Sequence, residues 1–224
     1  MYVFMPILKI HNLSFRYSKL QPWIIKNFSF DTNKGDIISV KGESGSGKTT
    51  LINILCGIIP KSINGEFEGI IEVMDENIET LSLPQIAQMI SLMMQETEYQ
   101  LSFPIIEQEL AFGPENLKLP PSEIENRIDD ALTLLQIKPL RYEKTTTLSY
   151  GQKKLVAFAS ILTLSPKIFL LDEPTNGLSS NYIQTITNVI LKLSNEGKTI
   201  FIANPSPELL KISNKNIDLS TQPK

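Results

Sequence analysis

Apolar and polar side chains alternate from Ile7 to Tyr17 and again from Ile24 to Asp31. A period of two puts successive side chains on opposite faces, so both stretches are predicted as strands with one buried face. Asn33, Lys34 and Gly35 supply the turn that ends the second. Three later runs lose the alternation. Asp36–Val40, Ile168–Leu171 and Thr199–Ala203 are dominated by apolar residues, which predicts short strands covered on both faces. Between them the period lengthens. Thr49–Cys56, Ser149–Leu164 and Tyr182–Leu193 read as helices, the last ending before Gly197. Ile124, Ile128, Ala131, Leu132 and Leu135 share one helical face as a core stripe. Ser122-Glu-Ile-Glu125 has the form of a capping box ahead of it. Leu83–Leu119, broken by Pro84, Pro104 and Pro114, is predicted to be largely helical between the breaks. Gly57–Gly69 reads as a loop and Ile70–Val73 as a strand, with Thr199–Ala203 the last clear core strand. Strands alternating with helices imply a mainly parallel sheet with helices on both faces.

The junction between the Asp36–Val40 strand and the Thr49–Cys56 helix carries the first chemical signal. Gly42-Glu-Ser-Gly-Ser-Gly-Lys-Thr49 fits the phosphate-loop pattern G-x-x-x-x-G-K-[ST] at every fixed position. Glycines let the backbone curl so that its N–H groups face phosphate oxygens, and the helix N-terminus adds partial positive charge. Gly42, Glu43, Ser44, Gly45, Ser46, Gly47, Lys48, Thr49 and Thr50 are therefore the candidate phosphate-binding residues. Lys48 is expected to reach the β- and γ-phosphates, and the Thr49 hydroxyl to ligate Mg²⁺.

A second signal lies at the end of a buried strand, in Ile168-Phe-Leu-Leu-Asp-Glu-Pro174. Two carboxylates follow four apolar residues. Asp172 is expected to help hold Mg²⁺, directly or through water. Glu173 is expected to orient or deprotonate an attacking water.

Composition narrows the classes further. The chain has 224 residues and a net charge of −3, with Lys and Arg spread along it. It lacks the concentrated basic charge of a nucleic-acid footprint. The single cysteine, Cys56, has no internal disulfide partner and reads as buried filler. The longest apolar run, Leu51–Pro60, contains Asn53 and Gly57 and is too short to span a bilayer. Met1–Pro6 is apolar but has no basic flank or cleavage pattern. The expectation is a soluble, cytosolic chain that acts at a membrane only through a partner.

Leu148-Ser-Tyr-Gly-Gln152, just upstream of the Asp172–Glu173 strand, makes a family resemblance explicit. The chain resembles the nucleotide-binding subunit of ABC transporters, which carries L-S-G-G-Q here. The resemblance extends from Leu8 to about Ala203. It implies an ABC-type P-loop NTPase fold: a mainly parallel central sheet, an N-terminal antiparallel β part and a helical subdomain near residues 83–164. The whole chain, 1–224, is expected to be one such domain. It also implies a two-subunit sandwich in which one phosphate loop faces the partner's signature. Ser149, Gly151 and Gln152 are then expected to close over ATP held by the other subunit. By the same likeness, Tyr17 stacks on adenine. Gln95, in Leu92-Met-Met-Gln95, senses Mg²⁺ and the attacking water. An ordinary strand aromatic and a surface glutamine are the alternatives at these two positions.

Glu109-Leu-Ala-Phe-Gly-Pro-Glu-Asn-Leu117, with Gln100-Leu101 upstream, is similar to the ATPases of energy-coupling factor importers of vitamins and transition-metal ions. Gly57-Ile-Ile-Pro60 and Gly65-Glu-Phe-Glu-Gly69 strengthen that likeness. It implies ATP and Mg²⁺ as ligands, a second ABC ATPase subunit and an integral membrane subunit as partners, and a peripheral place on the cytoplasmic face of the membrane. Residues Gln95–Phe112 are then expected to line a groove for a membrane-subunit helix.

Three departures bear on activity. The family has a His after the last core strand. This chain has Asn204-Pro205, with Pro205 in the slot or Asn204 if the alignment slips by one. The only histidine, His11, lies in an N-terminal strand and suits a solvated or packed role. Ser179 replaces a family Asp and is placed to cap the following helix. Tyr150 replaces a Gly of the signature. The expectation is good Mg-ATP binding with slow turnover at the chain's own loop. That leaves an importer motor as the leading reading and a hydrolysis-impaired partner in a heterodimer as the alternative. A soluble ABC ATPase acting on nucleic acid is disfavoured by the acidic charge.

Overall fold

The structure, a computed structural model, describes residues 6–220. The apolar Met1–Met5 stretch lies outside them.

Two sheets organise the described residues. The antiparallel sheet contains β1 (Leu8–Arg16), β2 (Ile25–Thr32), β4 (Glu66–Val73) and β5 (Glu76–Asn77), in the order β2-β1-β4-β5. The parallel sheet contains β3 (Ile37–Lys41), β6 (Ile90–Met93), β7 (Ile168–Asp172), β8 (Thr199–Ala203) and β9 (Lys215–Asp218), in the order β6-β7-β8-β3-β9. The helices are α1 (Lys48–Leu55), α2 (Ile58–Lys61), α3 (Leu83–Met89), α4 (Ile106–Asn116), α5 (Pro121–Leu134), α6 (Tyr150–Thr163), α7 (Ser180–Asn195) and α8 (Pro207–Ile212).

Pleating divides the parallel strands between two cores. Ile168, Leu170, Phe201 and Ala203 pack with Leu8, Ile10 and Phe15 of β1 and with Leu51 and Leu55 of α1. Phe169, Leu171, Ile200 and Ile202 face the other way, onto Leu132, Leu155, Phe158, Ile186 and Ile190. This is why these strands read as unbroken apolar runs: each parity has a core of its own. β7 and β8 pair in parallel with Asp172 opposite Ala203, and β3 pairs with β8 with Val40 opposite Ala203. The carboxyl ends of β3, β7 and β8 therefore finish level, at the edge where open α/β sheets bind ligands.

Four local expectations need correction. Leu83–Leu119 is not helical throughout, since Ile90–Met93 is a strand paired with β7. Gly57–Gly69 holds the short helix α2, and β4 begins at Glu66 rather than Ile70. The Ser122 capping box does not form. Pro120 takes the N-cap position and Pro121 begins α5, so Ser122 lies inside the helix. Proline suits the first turn because its missing N–H would have had no helical partner. A further strand, β9, follows on the edge of the sheet with one buried residue, so Thr199–Ala203 remains the last strand of the core. The Ile128, Ala131, Leu132 and Leu135 stripe is buried, with Ile124 partly buried against it. Cys56 is half-buried rather than sealed in the core, and burial pushes its thiol up to about 11. His11 is exposed.

Candidate functional site

The loop from Gly42 to Gly47 connects the buried strand β3 to helix α1. Gly47 holds the N-cap position at φ 97°, and Gly45 turns the loop at φ 78°. A Cβ on Gly47 would lie 2.8 Å from the Ile24 side chain, so both space and backbone angle select glycine there. No side chain caps α1 and no acidic residue sits in its first turn. Lys48 is buried and folds back over the loop. Its Nζ donates to the carbonyls of Gly42 (2.7 Å) and Glu43 (2.8 Å), with Ser46 Oγ at 3.5 Å.

The loop forms one wall of a cleft of about 580 Å³. Tyr17, Ile24, Thr49, Thr50, Gln95, Glu173 and Asn204 line the rest. Tyr17 is half-exposed. Its hydroxyl lies 3.2 Å from Thr50 Oγ1, and its ring meets Phe15 edge-on at 5.0 Å. Thr49 Oγ1 donates to Asp172 Oδ2 at 3.5 Å. Burial and the neighbouring Glu173 charge raise the Asp172 carboxyl above its ordinary value, against the opposing Thr49 hydrogen bond. No three His, Cys, Asp or Glu side chains gather as a metal cage among the described residues. Mg²⁺ usually takes one or two protein ligands and completes its shell with water and substrate phosphates. The Thr49 hydroxyl and the Asp172 carboxylate fit that mode.

Glu173 follows β7 directly, in the left-handed region at φ 49°. Its N–H donates to Ala203 O at 3.1 Å, and its own carbonyl accepts from the ammonium of Lys154 on α6. Lys154 is fully buried, and burial pulls its pKa below the ordinary value. The Glu173 carboxylate accepts from three side-chain amides: Gln95 (3.2 Å), Asn176 (3.0 Å) and Asn204 (2.7 Å). Asn176 and Lys154 escaped the sequence reading. Their only signals were a position three residues after Glu173 and the second of two lysines leading into an apolar helical run. Of the two residues weighed for the missing His, Asn204 lines the cleft and Pro205 does not.

The signature residues are not brought to this cleft. Ser149 caps α6, accepting from Gln152 N–H at 3.3 Å, while the Gln152 side chain accepts from Ser149 N–H at 2.9 Å. This closes a reciprocal capping box. Tyr150 is half-exposed and lies over the Lys154 ammonium, 5.6 Å from ring centroid to Nζ. It also abuts Gly177, where a Cβ would come 3.0 Å from the ring. Gly151 packs under Tyr182, which a Cβ would meet at 2.8 Å. Ser179 holds the N-cap position of α7 without a side-chain cap bond.

Glu173 lines the phosphate-loop cleft, Asp172 is tied to it through Thr49, and the serine-capped helix stands outside it. A family model described as ABC transporter matches residues 25–176. The chain belongs to the ABC transporter family of ATP-binding proteins. This ABC ATPase is 35% identical over 219 residues to the energy-coupling factor transporter ATP-binding protein EcfA2 of Caldanaerobacter subterraneus subsp. tengcongensis. That match covers 95% of this chain and 75% of the relative. It superposes on the structure of cbiO1 from Clostridium perfringens with a TM-score of 0.79 and 31% identity, covering 90% of this chain and 79% of that one. The cbiO1 protein is described as part of the ABC transporter complex cbiONQ. A nucleotide-free ATP-binding cassette at 23% identity shares the fold, with a TM-score of 0.79 over 96% of this chain and 89% of the other. A Lactobacillus johnsonii relative, 35% identical over 206 residues, is much longer: the match covers 92% of this chain and 35% of the relative. No helix among the described residues is long and apolar enough to cross a membrane.

Proposed function

We propose that this ABC ATPase powers a membrane importer of the energy-coupling factor type, for a vitamin or a metal ion, by binding and hydrolysing ATP at a two-subunit interface. The observation that carries the reading is the separation of two half-sites. Lys48, Thr49 and Glu173 share one cleft, with Asp172 hydrogen-bonded to Thr49 at its edge, while the Ser149 turn lies outside it. In a pair of subunits the Ser149 hydroxyl of each is available to the γ-phosphate held by the other. Lys48 grips the β- and γ-phosphates, and Thr49 and Asp172 hold Mg²⁺, with Gln95 beside it. Glu173 orients a water for attack on the γ-phosphorus and takes its proton, leaving ADP and phosphate. Tyr17 stacks on adenine. We read the chain as a single ABC ATPase domain with residues 83–164 as its helical subdomain, peripheral at the cytoplasmic face of the membrane.

The importer class draws support from the similarity to EcfA2 and cbiO1 at 31–35% identity. A groove of about 370 Å³ beside β6 supports the membrane partner. Leu83, Ala87, Leu92, Phe112, Ile161 and Leu164 line it with Gln100 and Glu109. Gln100 is fixed by bonds to Ala157 O (2.9 Å) and Ser160 Oγ (3.1 Å), and Glu109 by the N–H groups of Ser102 and Phe103. These ties make a rigid floor suited to an amphipathic helix. The absence of a histidine at Asn204-Pro205 favours a second reading, in which this chain turns over slowly and completes the site of a more active partner. Loss of one transition-state donor commonly costs about 10²–10³ in rate.

Pull-down of the tagged chain from detergent-solubilised membranes, followed by identification of the bound subunits, tests the importer. Recovery of a multi-span protein together with Mg-ATP binding supports the proposal. A chain with no Mg-dependent affinity for ATP refutes it. Co-purification of a second ABC ATPase carrying the histidine selects the heterodimer.

A further inference from the structure

β7 and β8 are adjacent parallel strands whose last residues, Asp172 and Ala203, stand opposite each other. The residue after each strand enters the left-handed region, Glu173 at φ 49° and Asn204 at φ 48°. The main chain fixes both, through Glu173 N–H to Ala203 O and Asn204 N–H to Val40 O, each at 3.1 Å. Their side chains then meet, with Asn204 Nδ2 2.7 Å from Glu173 Oε1. The other two amides, from Gln95 and Asn176, both donate to Oε2. Asn204 is thus the side chain bonded to Oε1, and without it these amides hold the carboxylate through Oε2 alone.

We propose that Asn204 is a positioning residue that holds the Glu173 carboxylate in register for water activation, and that turnover at this site depends on it. The inference rests on the ATPase reading above. It assigns a role to a side chain at Asn204-Pro205, where this chain has no histidine: the carboxylate of the base is anchored there by an amide. Asparagine suits the place because it tolerates positive φ better than most residues and carries two N–H donors.

The test uses variants matched to that backbone. Asn204→Gly keeps the positive φ and deletes the amide. Asn204→Asp keeps shape and tolerance but sets a carboxylate against Glu173. For the full chain we expect kcat to fall about tenfold or more in both, with KM for ATP and Mg-ATP affinity within about twofold of wild type. A thermal-melting cycle reads the same pair without turnover. Asn204→Asp should lower the Tm by about 2–4 °C, and adding Glu173→Gln should restore it by reversing donor and acceptor. Unchanged kcat with normal Mg-ATP binding overturns the role of Asn204 alone. So does a wild-type chain that binds Mg-ATP without measurable turnover, or a Tm loss that Glu173→Gln does not recover. No Mg-ATP affinity in the wild type overturns the proposed function, and the role of Asn204 falls with it.

Discussion

The helices α1 and α6 begin in opposite ways. The start of α1 is a left-handed glycine with no side-chain cap and no acidic residue in the first turn. Its loop carbonyls hold the Lys48 ammonium. The start of α6 satisfies itself: Ser149 and Gln152 exchange hydrogen bonds, and the Tyr150 ring turns to the Lys154 ammonium. An uncapped N-terminus with a lysine beside it has N–H donors and positive charge to offer an anion. A closed capping box has fewer. In Ser149 the hydroxyl oxygen is occupied as an acceptor, which still leaves its proton to donate. The comparison assigns α1 the main grip on the triphosphate and α6 a lighter contact that completes it.

Glu173→Gln should give the largest effect. Removing a general base typically costs about 10²–10⁴ in rate. ATP turnover of the assembled pair should fall by that factor while Mg-ATP affinity holds within a few-fold, read by steady-state kinetics beside calorimetric binding. Equal loss of binding and turnover would move Glu173 from the chemistry to the grip.

Lys48→Ala should come next, and on α1 alone. A charged hydrogen bond contributes about 1.5–3 kcal/mol, so Mg-ATP affinity should drop by about tenfold to a hundredfold at constant salt. If affinity is unmoved while Ser149→Ala weakens it in the isolated chain, the division between the two helix starts is reversed.

The phosphate loop was legible in the sequence because its geometry is local: eight consecutive residues fix the turn, the charge and the helix start. Asp172 and Glu173 were legible for the same reason, at the tip of an apolar run. The edge strands were not. Lys215-Asn-Ile-Asp218 has one buried apolar residue, Ile217, and is joined to β3 by parallel backbone pairing, the Asn216 side chain on Ser39 and the Asn214 side chain on Ile37 N–H. Nothing in its own pattern shows that edge. Ile90–Met93 is four residues inside a proline-punctuated segment, and it is a strand because β7 lies beside it. Asn204 was similarly ambiguous. A residue count left the histidine slot between two neighbours, and only the register of β7 against β8 puts Asn204 beside Glu173.

Ser149 offers the smallest effect and the sharpest separation, because its cap and its proposed phosphate contact reside in one hydroxyl. Ser149→Ala removes both. The lost cap should cost about 0.5–2 kcal/mol of stability, seen as a lower Tm, and paired turnover should fall. Mg-ATP affinity of the isolated chain should not change, since the turn lies outside its own cleft. Ser149→Asp removes only the contact. Aspartate caps a helix about as well as serine, so the Tm should stay near wild type, while a carboxylate facing the partner's γ-phosphate has no proton to donate and repels it. Turnover should therefore fall at least as far as in Ser149→Ala, with stability preserved. If Ser149→Asp keeps full turnover, the hydroxyl is only a cap, and α6 takes no part in holding the nucleotide.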